Sequence, residues 1–167
     1  NILGGLVKKN SGEVNVCGIN IDKNIKLSKF KIGIVPQELN IDPFFSPAEL
    51  LELQAGLYGV PKKKRKTDEI LENLKLTDQR NAYARTLSGG MRRRLLIGKA
   101  LVHDPEIIIL DEPTAGINPT LINGIIDRLI KVNQDFGITL LVIEHNMRVI
   151  MQLAENIFCL AHGKMLA

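Results

Sequence analysis

Residues 107–113 read Ile-Ile-Ile-Leu-Asp-Glu-Pro, a run of four apolar residues that ends in two adjacent carboxylates. A continuous apolar run of this length is typical of a strand buried on both faces of a parallel sheet. Open α/β sheets bind ligands at the carboxyl ends of their strands, where Asp111 and Glu112 would lie. One carboxylate could help to hold Mg²⁺ and the next could polarise a water, which fits phosphoryl transfer. The alternative is a strand end with two solvated acids.

Further strand and helix patterns alternate along the chain around this motif. Their order after residue 107 predicts an α/β fold with parallel strands joined by right-handed crossovers. The predicted strands cover Glu13 to Cys17, Ile32 to Val35, Ile138 to Ile143 (expected to be buried) and Ile157 to Leu160, and the predicted helices in this part cover Leu121 to Asn133 and Met147 to Ala154.

A helical segment interrupts the α/β pattern. Ser46, followed by Pro47 and Glu49, has the composition of a capped helix start, and a second helical pattern covers Thr67 to Leu74. The expected organisation is one domain over 1–167, with an α/β core of 1–41 and 104–167 and a helical insert of 42–103.

Composition excludes several classes of protein. Hydrophobic residues make up 45% and charged residues 24%, the balance of a globular domain with a net charge of +4. Aromatic residues are only 4%, which argues against a nucleic-acid surface built on stacked aromatic rings. Cys17 and Cys159 form no Cys-x-x-Cys zinc pattern, and we expect both to be free, buried thiols. The longest apolar run, 138–143, is far shorter than the roughly 20 residues of a membrane span.

A second motif, Leu87-Ser88-Gly89-Gly90-Met91, precedes a helical pattern that begins with three arginines. Serine and two glycines at a helix start present a concave run of backbone N–H groups, and the helix dipole adds positive potential there. The motif therefore indicates an anion site. The alternative is a serine-capped helix after a glycine turn.

The two motifs occur in order with two further polar residues, because Gln37 follows the predicted strand at 32–35 and His145 follows the strand at 138–143. In this order the segments resemble the nucleotide-binding domain of ATP-binding cassette (ABC) proteins, and the resemblance covers nearly the whole chain. It implies a P-loop NTPase-like parallel sheet with helices on both faces and a RecA-like core. It also implies that the insert is the ABC-type helical subdomain, which carries the signature motif at 87–91.

The resemblance further implies that two such domains close head to tail on two ATP molecules. Ser88, Gly89 and Gly90 would contact the γ-phosphate of an ATP held by the second nucleotide-binding domain. Asn118, in the segment that looks like the family's D-loop, would lie in the same interface. Met91 stands where the family usually has Gln, and Asn118 where it usually has Asp.

Four positions look like the family's hydrolytic residues. Asp111 resembles the Walker B aspartate and, with Gln37, would bind Mg²⁺. Glu112 would be the general base on the attacking water, a role worth about 10²–10⁴ in rate. His145 would contact the γ-phosphate and help to position that water. Gln37 would sense the metal and the water, and its loop would relay the nucleotide state to a partner.

One motif of the family is missing, because no Gly-x-x-x-x-Gly-Lys-Ser/Thr occurs in the 167 residues. Residues 1–7 resemble the end of the helix that follows this P-loop in the family. We therefore expect a chain truncated before or within the P-loop that is inactive alone and binds ATP weakly or not at all. The alternative is a degenerate domain that never bound ATP.

The resemblance implies an ATPase subunit that powers transport across a membrane. Such a subunit is peripheral, on the cytoplasmic face of the cell membrane, and binds a transmembrane transporter subunit through its insert and the segment after Gln37; no nucleic acid partner is expected. Residues 34–38 and 90–95 look like exporter ATPases, which we favour, whereas 115–119 and 142–147 look like branched-chain amino-acid importers. The alternatives are a soluble ABC ATPase of DNA repair, chromosome maintenance or translation, and a non-catalytic regulatory cassette.

Three remaining features are expected to be surface features. The basic run from Lys62 to Lys66 is expected to be a solvated loop, with a nucleic-acid patch, a nuclear-import signal or contact with anionic lipid as alternatives. His103 and His162 have no matching position in the resemblance, and both are expected to lie at the surface.

Overall fold

The computed structural model describes residues 2–5 and 7–166, and within them a three-stranded parallel sheet forms the centre of the α/β fold that the sequence predicts. The helices and strands of this part of the chain are, in order, β1 (Asn15–Val16), β2 (Ile19–Asn20), α1 (Ile25–Phe30), β3 (Ile32–Val35), α2 (Pro47–Leu57), α3 (Thr67–Asn73), α4 (Gly89–Leu101), β4 (Ile107–Asp111), α5 (Pro119–Phe136), β5 (Thr139–Ile143), α6 (Met147–Leu153), β6 (Leu160–Ala161) and β7 (Lys164–Met165), with 3₁₀ turns at Lys62–Lys64, Thr77–Gln79 and Ala84–Thr86.

The central sheet has the strand order β3-β4-β5, and both pairings are parallel. Ile34, Ile109 and Leu141 are aligned across the three strands. At the carboxyl end of β4, Asp111 lies opposite Ile143 of β5. The residues that follow β4 and β5 therefore leave the sheet at the same edge.

The two faces of this sheet differ in burial. Ile108 and Leu110 of β4 are fully buried in a hydrophobic cluster that includes residues of α4 and α5. On the opposite face, the side chains of Leu141 and Ile143 are 45% and 49% exposed. The expectation of a buried strand over 138–143 is therefore wrong on this face. Ile34 of β3, which lies on the same face, is 45% exposed as well, so this side of the sheet is open to solvent in the described part of the chain.

The predicted strand from Ile157 to Leu160 is also not part of the sheet. Residues 157–159 belong to no strand, and β6 pairs instead with β7 in an antiparallel hairpin. The two residues of its turn, His162 and Gly163, both have positive φ angles, of 50° and 74°. This is the backbone of a tight hairpin turn, which closes at a small entropic cost because the loop is short.

Both cysteines are free, as expected, but they are exposed rather than buried. Cys17 lies in the turn of the β1–β2 hairpin, where its φ is 48°, and the predicted strand over 13–17 is reduced to Asn15–Val16. Cys159 lies in the irregular segment before β6. Because Cys17 lies in a turn and Cys159 in an irregular segment, neither thiol is part of the packed face of the central sheet.

The insert begins as its sequence indicates. The Ser46 hydroxyl accepts a hydrogen bond from the Glu49 backbone N–H at 3.3 Å, and the Glu49 carboxylate accepts one from the Ser46 N–H at 2.8 Å, which completes a capping box at the start of α2. The core residues of α2, α3 and α4 belong to the same hydrophobic cluster as the central sheet. Lys62–Lys64 form an exposed 3₁₀ turn, which is the solvated loop that we expect for this part of the basic run.

His103 is not the surface residue that the sequence indicates, whereas His162 is exposed. The His103 ring stacks on Tyr58 with a centroid separation of 3.8 Å, and its Nε2 donates a hydrogen bond to the Ile32 carbonyl at 3.1 Å. Burial lowers the pKa of His103 below its usual value, although this hydrogen bond and Asp104 oppose the shift.

The amino-terminal segment is a turn where it is described. Within residues 2–5, the Gly5 N–H donates to the Ile2 carbonyl at 2.9 Å. Asn1 and Leu6, which the sequence pattern also places at a helix end, lie outside the described residues, as does Ala167. Among the helices of 2–5 and 7–166, none combines the length and the apolar character that crossing a membrane requires.

Candidate functional site

The carboxyl end of β4 holds the acidic pair. Asp111 is the last residue of the strand, and its exposed side chain forms no hydrogen bond or ion pair with another described residue. The backbone N–H of Glu112 donates to the Ile143 carbonyl at 2.9 Å, which holds the two strand ends together. Glu112 has a φ of 42°, a left-handed conformation that costs a non-glycine residue roughly 1–3 kcal/mol and that clusters at functional sites.

Gln37 and His145 are brought to the Glu112 side chain from two different loops. The Gln37 amide Nε2 donates to Glu112 Oε2 at 2.7 Å, and His145 Nδ1 lies 3.4 Å from Glu112 Oε1. The His145 side chain is 78% exposed, so it faces solvent beside the carboxylate. Each carboxylate oxygen therefore has its own polar neighbour, in an open position at the sheet edge.

The signature segment, residues 87–91, lies at the start of α4. Ser88 is the N-cap residue, and its hydroxyl accepts from the Met91 N–H at 3.2 Å. Ser88 and Gly89 are exposed, whereas Gly90 is buried. A Cβ atom on Gly89 would have Ile117 as its nearest neighbour, at 4.0 Å. No hydrogen bond or ion pair in the described structure joins the signature segment to Glu112.

Asn118 lies at the start of α5 and is separate from the cluster of Gln37, Glu112 and His145. Its Oδ1 accepts hydrogen bonds from the Thr120 N–H at 3.0 Å and from the Thr120 hydroxyl at 2.8 Å, so it caps this helix. It follows Ile117, the residue that lies beside Gly89. The structure therefore places Asn118 near the signature segment of the same protomer.

Three polar residues behind the site are missed by the sequence analysis. Arg93 of α4 is only 1% exposed, and the Glu144 side chain is also 1% exposed. The Thr114 hydroxyl donates to the Glu144 carboxylate. Helical spacing could have indicated the first, because Arg93 shares a face of α4 with the buried Leu96 and Ile97.

The residues at the strand end fit a Mg²⁺ ion held largely by other oxygen ligands. No group of three or more His, Cys, Asp or Glu side chains with a metal-binding arrangement occurs among the described residues. Mg²⁺ commonly takes one or two carboxylates and completes its shell with waters and phosphate oxygens. The exposed Asp111 carboxylate is free to serve in this way, whereas the Gln37 amide nitrogen is turned towards Glu112.

Comparisons with known proteins show which family the chain resembles. A family model described as "ABC transporter" matches residues 1–115. The linearmycin resistance ATP-binding protein LnrL of Bacillus subtilis is 38% identical over 168 residues, which cover 99% of this chain and 54% of that protein. The methionine import ATP-binding protein MetN of Latilactobacillus sakei is 34% identical over 99% of this chain and 50% of that protein.

A solved structure extends the likeness to the fold. The cbiO1 protein from Clostridium perfringens, part of the ABC transporter complex cbiONQ, superposes with a TM-score of 0.87 at 26% identity. The alignment covers 99% of this chain and 68% of that one. The chain spans about half the length of the curated relatives it matches. Because this family model matches more than half of the residues of the chain, the chain belongs to the ABC transporter family.

Proposed function

We propose that the protein containing this chain binds and hydrolyses ATP to power transport of a substrate across a membrane. The observation that carries this proposal is the convergence of Gln37 and His145 on the two oxygens of Glu112 at the end of β4. A carboxylate in this position can accept a proton from an attacking water, while the neighbouring amide and imidazole keep it oriented. Such a general base contributes about 10²–10⁴ to the rate.

Mg²⁺ would be held by Asp111 together with phosphate and water oxygens, and it would neutralise charge that develops on the phosphates. Gln37 is also assigned to the metal site, through the oxygen of its amide. His145, exposed beside Glu112, is assigned to the terminal phosphate and to the orientation of the water. The general base and the metal ligand thereby lie next to each other in the chain.

We assign the exposed start of α4 to a second nucleotide-binding domain in a head-to-tail dimer. Ser88 and Gly89 are exposed at the amino-terminal end of α4, where the helix dipole favours the binding of a phosphate. Gly90, the second residue of α4, is assigned to the same phosphate, and Asn118 would approach the same interface from the start of α5. This assignment explains why the signature segment has no polar contact with Glu112 in the described protomer.

The proposed membrane partner is a transmembrane transporter subunit, with this chain on the cytoplasmic face as a peripheral component. The proposal rests on the ABC family and on the transport named in the relatives MetN and cbiO1. Residues 42–103 are proposed as a helical subdomain that makes this contact together with the loop after Gln37. Exposed apolar side chains at Phe44, Leu53 and Leu57 provide surface for it. The relatives give no support to the DNA-repair alternative.

The test is ATP binding and turnover by the whole protein with Glu112→Gln. Binding should stay within about twofold of the wild type, and turnover should fall by about 10²–10⁴, because the amide cannot accept the proton. Glu106→Gln is the control, since Glu106 is an exposed carboxylate that pairs with Lys31 at the opposite end of β4. Undiminished turnover by Glu112→Gln would remove Glu112 from this role, and nucleic acid in place of a membrane subunit on purification would refute transport.

A further inference from the structure

The guanidinium of Arg93 lies buried behind the hydrolytic residues. Its NH1 donates to the Pro36 carbonyl at 2.7 Å and its NH2 donates to the Gln37 carbonyl at 2.7 Å. The same NH2 lies 3.5 Å from the Ala115 carbonyl, in the turn that follows Glu112. One side chain of α4 therefore contacts the backbone of both loops that supply the Gln37–Glu112 hydrogen bond.

The loop after β5, which carries Glu144 and His145, is linked to this guanidinium by the charge of Glu144. Burial lowers the pKa of Arg93, and the negative charge of Glu144 opposes this shift. The Glu144 carboxylate is itself buried, where it accepts from the Thr114 hydroxyl and from the backbone N–H of His145 at 3.1 Å. The three loops that carry Gln37, Glu112 and His145 therefore all contact one buried network, which is formed by Arg93, Thr114 and Glu144.

Fold stability is a poor explanation for this charge. A buried charge loses its hydration, and apolar side chains of the same volume are often equally or more stabilising at such positions. The Nε of Arg93 is buried without a hydrogen-bond partner in the described structure, so only the two terminal nitrogens act as donors. The planar guanidinium provides a rigid fork that an apolar residue lacks. Its two terminal nitrogens hold the adjacent Pro36 and Gln37 carbonyls, and NH2 also reaches the Ala115 carbonyl of the second loop at 3.5 Å.

We propose that Arg93 is a positioning residue that sets the placement of Gln37 relative to Glu112 by holding the backbone carbonyls of both loops. Arg93 lies about 1.4 helical turns after Ser88. Its hydrogen bonds therefore attach the helix that begins with the signature segment directly to the loop of Gln37. The expected effect on turnover rests on the proposed function. The placement of Gln37 by Arg93 does not depend on the proposed function.

The placement is tested by NMR of the Gln37 side-chain amide in the whole protein. In the wild type, Glu112→Gln should shift this amide resonance, because a charge-assisted hydrogen bond becomes a neutral one. In the Arg93→Met background the same Glu112→Gln change should no longer shift it. Arg93→Lys, which keeps the charge but not the fork, covers the case in which Arg93→Met does not fold, and it should reduce the shift.

Arg94→Met is the matched control. Arg94 is the next residue of α4 and donates to the Leu74 and Lys75 carbonyls, at 2.9 and 3.2 Å, which lie inside the insert. This variant should leave the Gln37 response as in the wild type. The proposal is overturned if Gln37 still responds fully to Glu112→Gln in both Arg93 variants, or if Arg94→Met abolishes the response equally.

Turnover gives the second readout, in the whole protein. Arg93→Lys should lower kcat by about 10²-fold, the cost of a misplaced catalytic group, with little change in the KM for ATP. Arg94→Met should keep the wild-type kcat. If the Arg93 variants lose the Gln37 response and the wild-type protein hydrolyses no ATP, the proposed function is refuted and Arg93 remains the positioning residue. If both Arg93 variants keep the full Gln37 response and normal ATPase activity, only the role of Arg93 is refuted.

Discussion

The side-chain amide of Gln37 donates a hydrogen bond of 2.7 Å to the carboxylate of Glu112, 75 positions away in the sequence. The bond joins the loop after β3 to the loop after β4, two strands that are neighbours in the sheet. It uses one carboxylate oxygen, and the other oxygen lies 3.4 Å from His145 Nδ1. Any displacement of the Gln37 loop therefore changes the surroundings of Glu112 directly.

The sheet that presents this pair depends on a close backbone approach at Gly33. A Cβ atom at this position of β3 would lie 2.5 Å from the carbonyl oxygen of Ala100 in α4. We expect Gly33→Ala to lower the free energy of unfolding by about 1–3 kcal/mol, as overpacking does in other cores. Chemical denaturation measures this change.

Gly124 is the matched control for that substitution. It lies in the exposed middle of α5, and a Cβ atom there would meet nothing within 4 Å. Gly124→Ala should therefore raise the free energy of unfolding by about 0.5–1 kcal/mol, because alanine loses less backbone entropy in a helix. Equal stabilities of the two variants would show that α4 does not pack on β3 as closely as the structure has it.

The half-buried His103 gives the fold a dependence on pH near neutrality. Because the pKa of His103 is lower in the folded chain than its value of 6.5 when unfolded, the unfolded state binds more protons below that pH. The stabilising contribution is present above pH 6.5 and is lost as the pH falls through the folded pKa. Urea denaturation between pH 7.5 and 5 should show this slope.

Two substitutions identify the source of that slope. His103→Phe keeps a ring against Tyr58, and His103→Gln keeps a polar side chain; neither titrates, so both should flatten the slope whatever their effect on stability at pH 7.5. An unchanged slope in both variants would assign the pH dependence to another group.

The capping box at the start of α2 makes a separate contribution. Ser46→Ala removes a buried hydroxyl that accepts from the Glu49 N–H, and it should cost about 1 kcal/mol at pH 7. The hydrogen bonds from Ser46 lower the pKa of Glu49 in the folded chain, so their contribution is present above the usual value of 4.5 and is lost as the pH falls through the lowered folded pKa. Ser11→Ala, at an exposed bend, is the control and should have no effect of this size.

Local sequence patterns predict much of this fold because their causes are local. The apolar run before Asp111 and the capping residues of α2 determine their own elements within a few positions. The segment at 157–160 has a strand-like composition, but its pairing depends on which edge is available, and it pairs within a hairpin. A short apolar segment does not contain that information.

The candidate site is predicted only in part, because some of its residues follow local patterns and others depend on packing. Gln37, Glu112 and His145 follow strands and can be found from their order along the chain. Arg93 cannot be found in this way, because its neighbours Arg92 and Arg94 make the run look like a solvated basic surface. Helical spacing is the one sequence signal that points to Arg93, and the packing of α4 shows that its side chain is buried behind the loops of Gln37 and Glu112.

In the proposed head-to-tail dimer, each site uses Glu112 of one protomer and Ser88 of the other. Ser88→Asp in the whole protein keeps an N-cap acceptor for α4, but it places a negative charge where the partner's terminal phosphate would bind. Ser88→Asn is the neutral control with a similar capping strength. Dimers with only Ser88→Asp or only Glu112→Gln have two defective sites each.

The most direct measurement is ATP turnover after the two inactive variants, Ser88→Asp and Glu112→Gln, are mixed and allowed to exchange protomers. A head-to-tail dimer of one of each contains one complete site. About half of the dimers are mixed and have one intact site of two, so the mixture should recover about a quarter of the wild-type turnover. Turnover no higher than that of either variant alone would contradict the shared site.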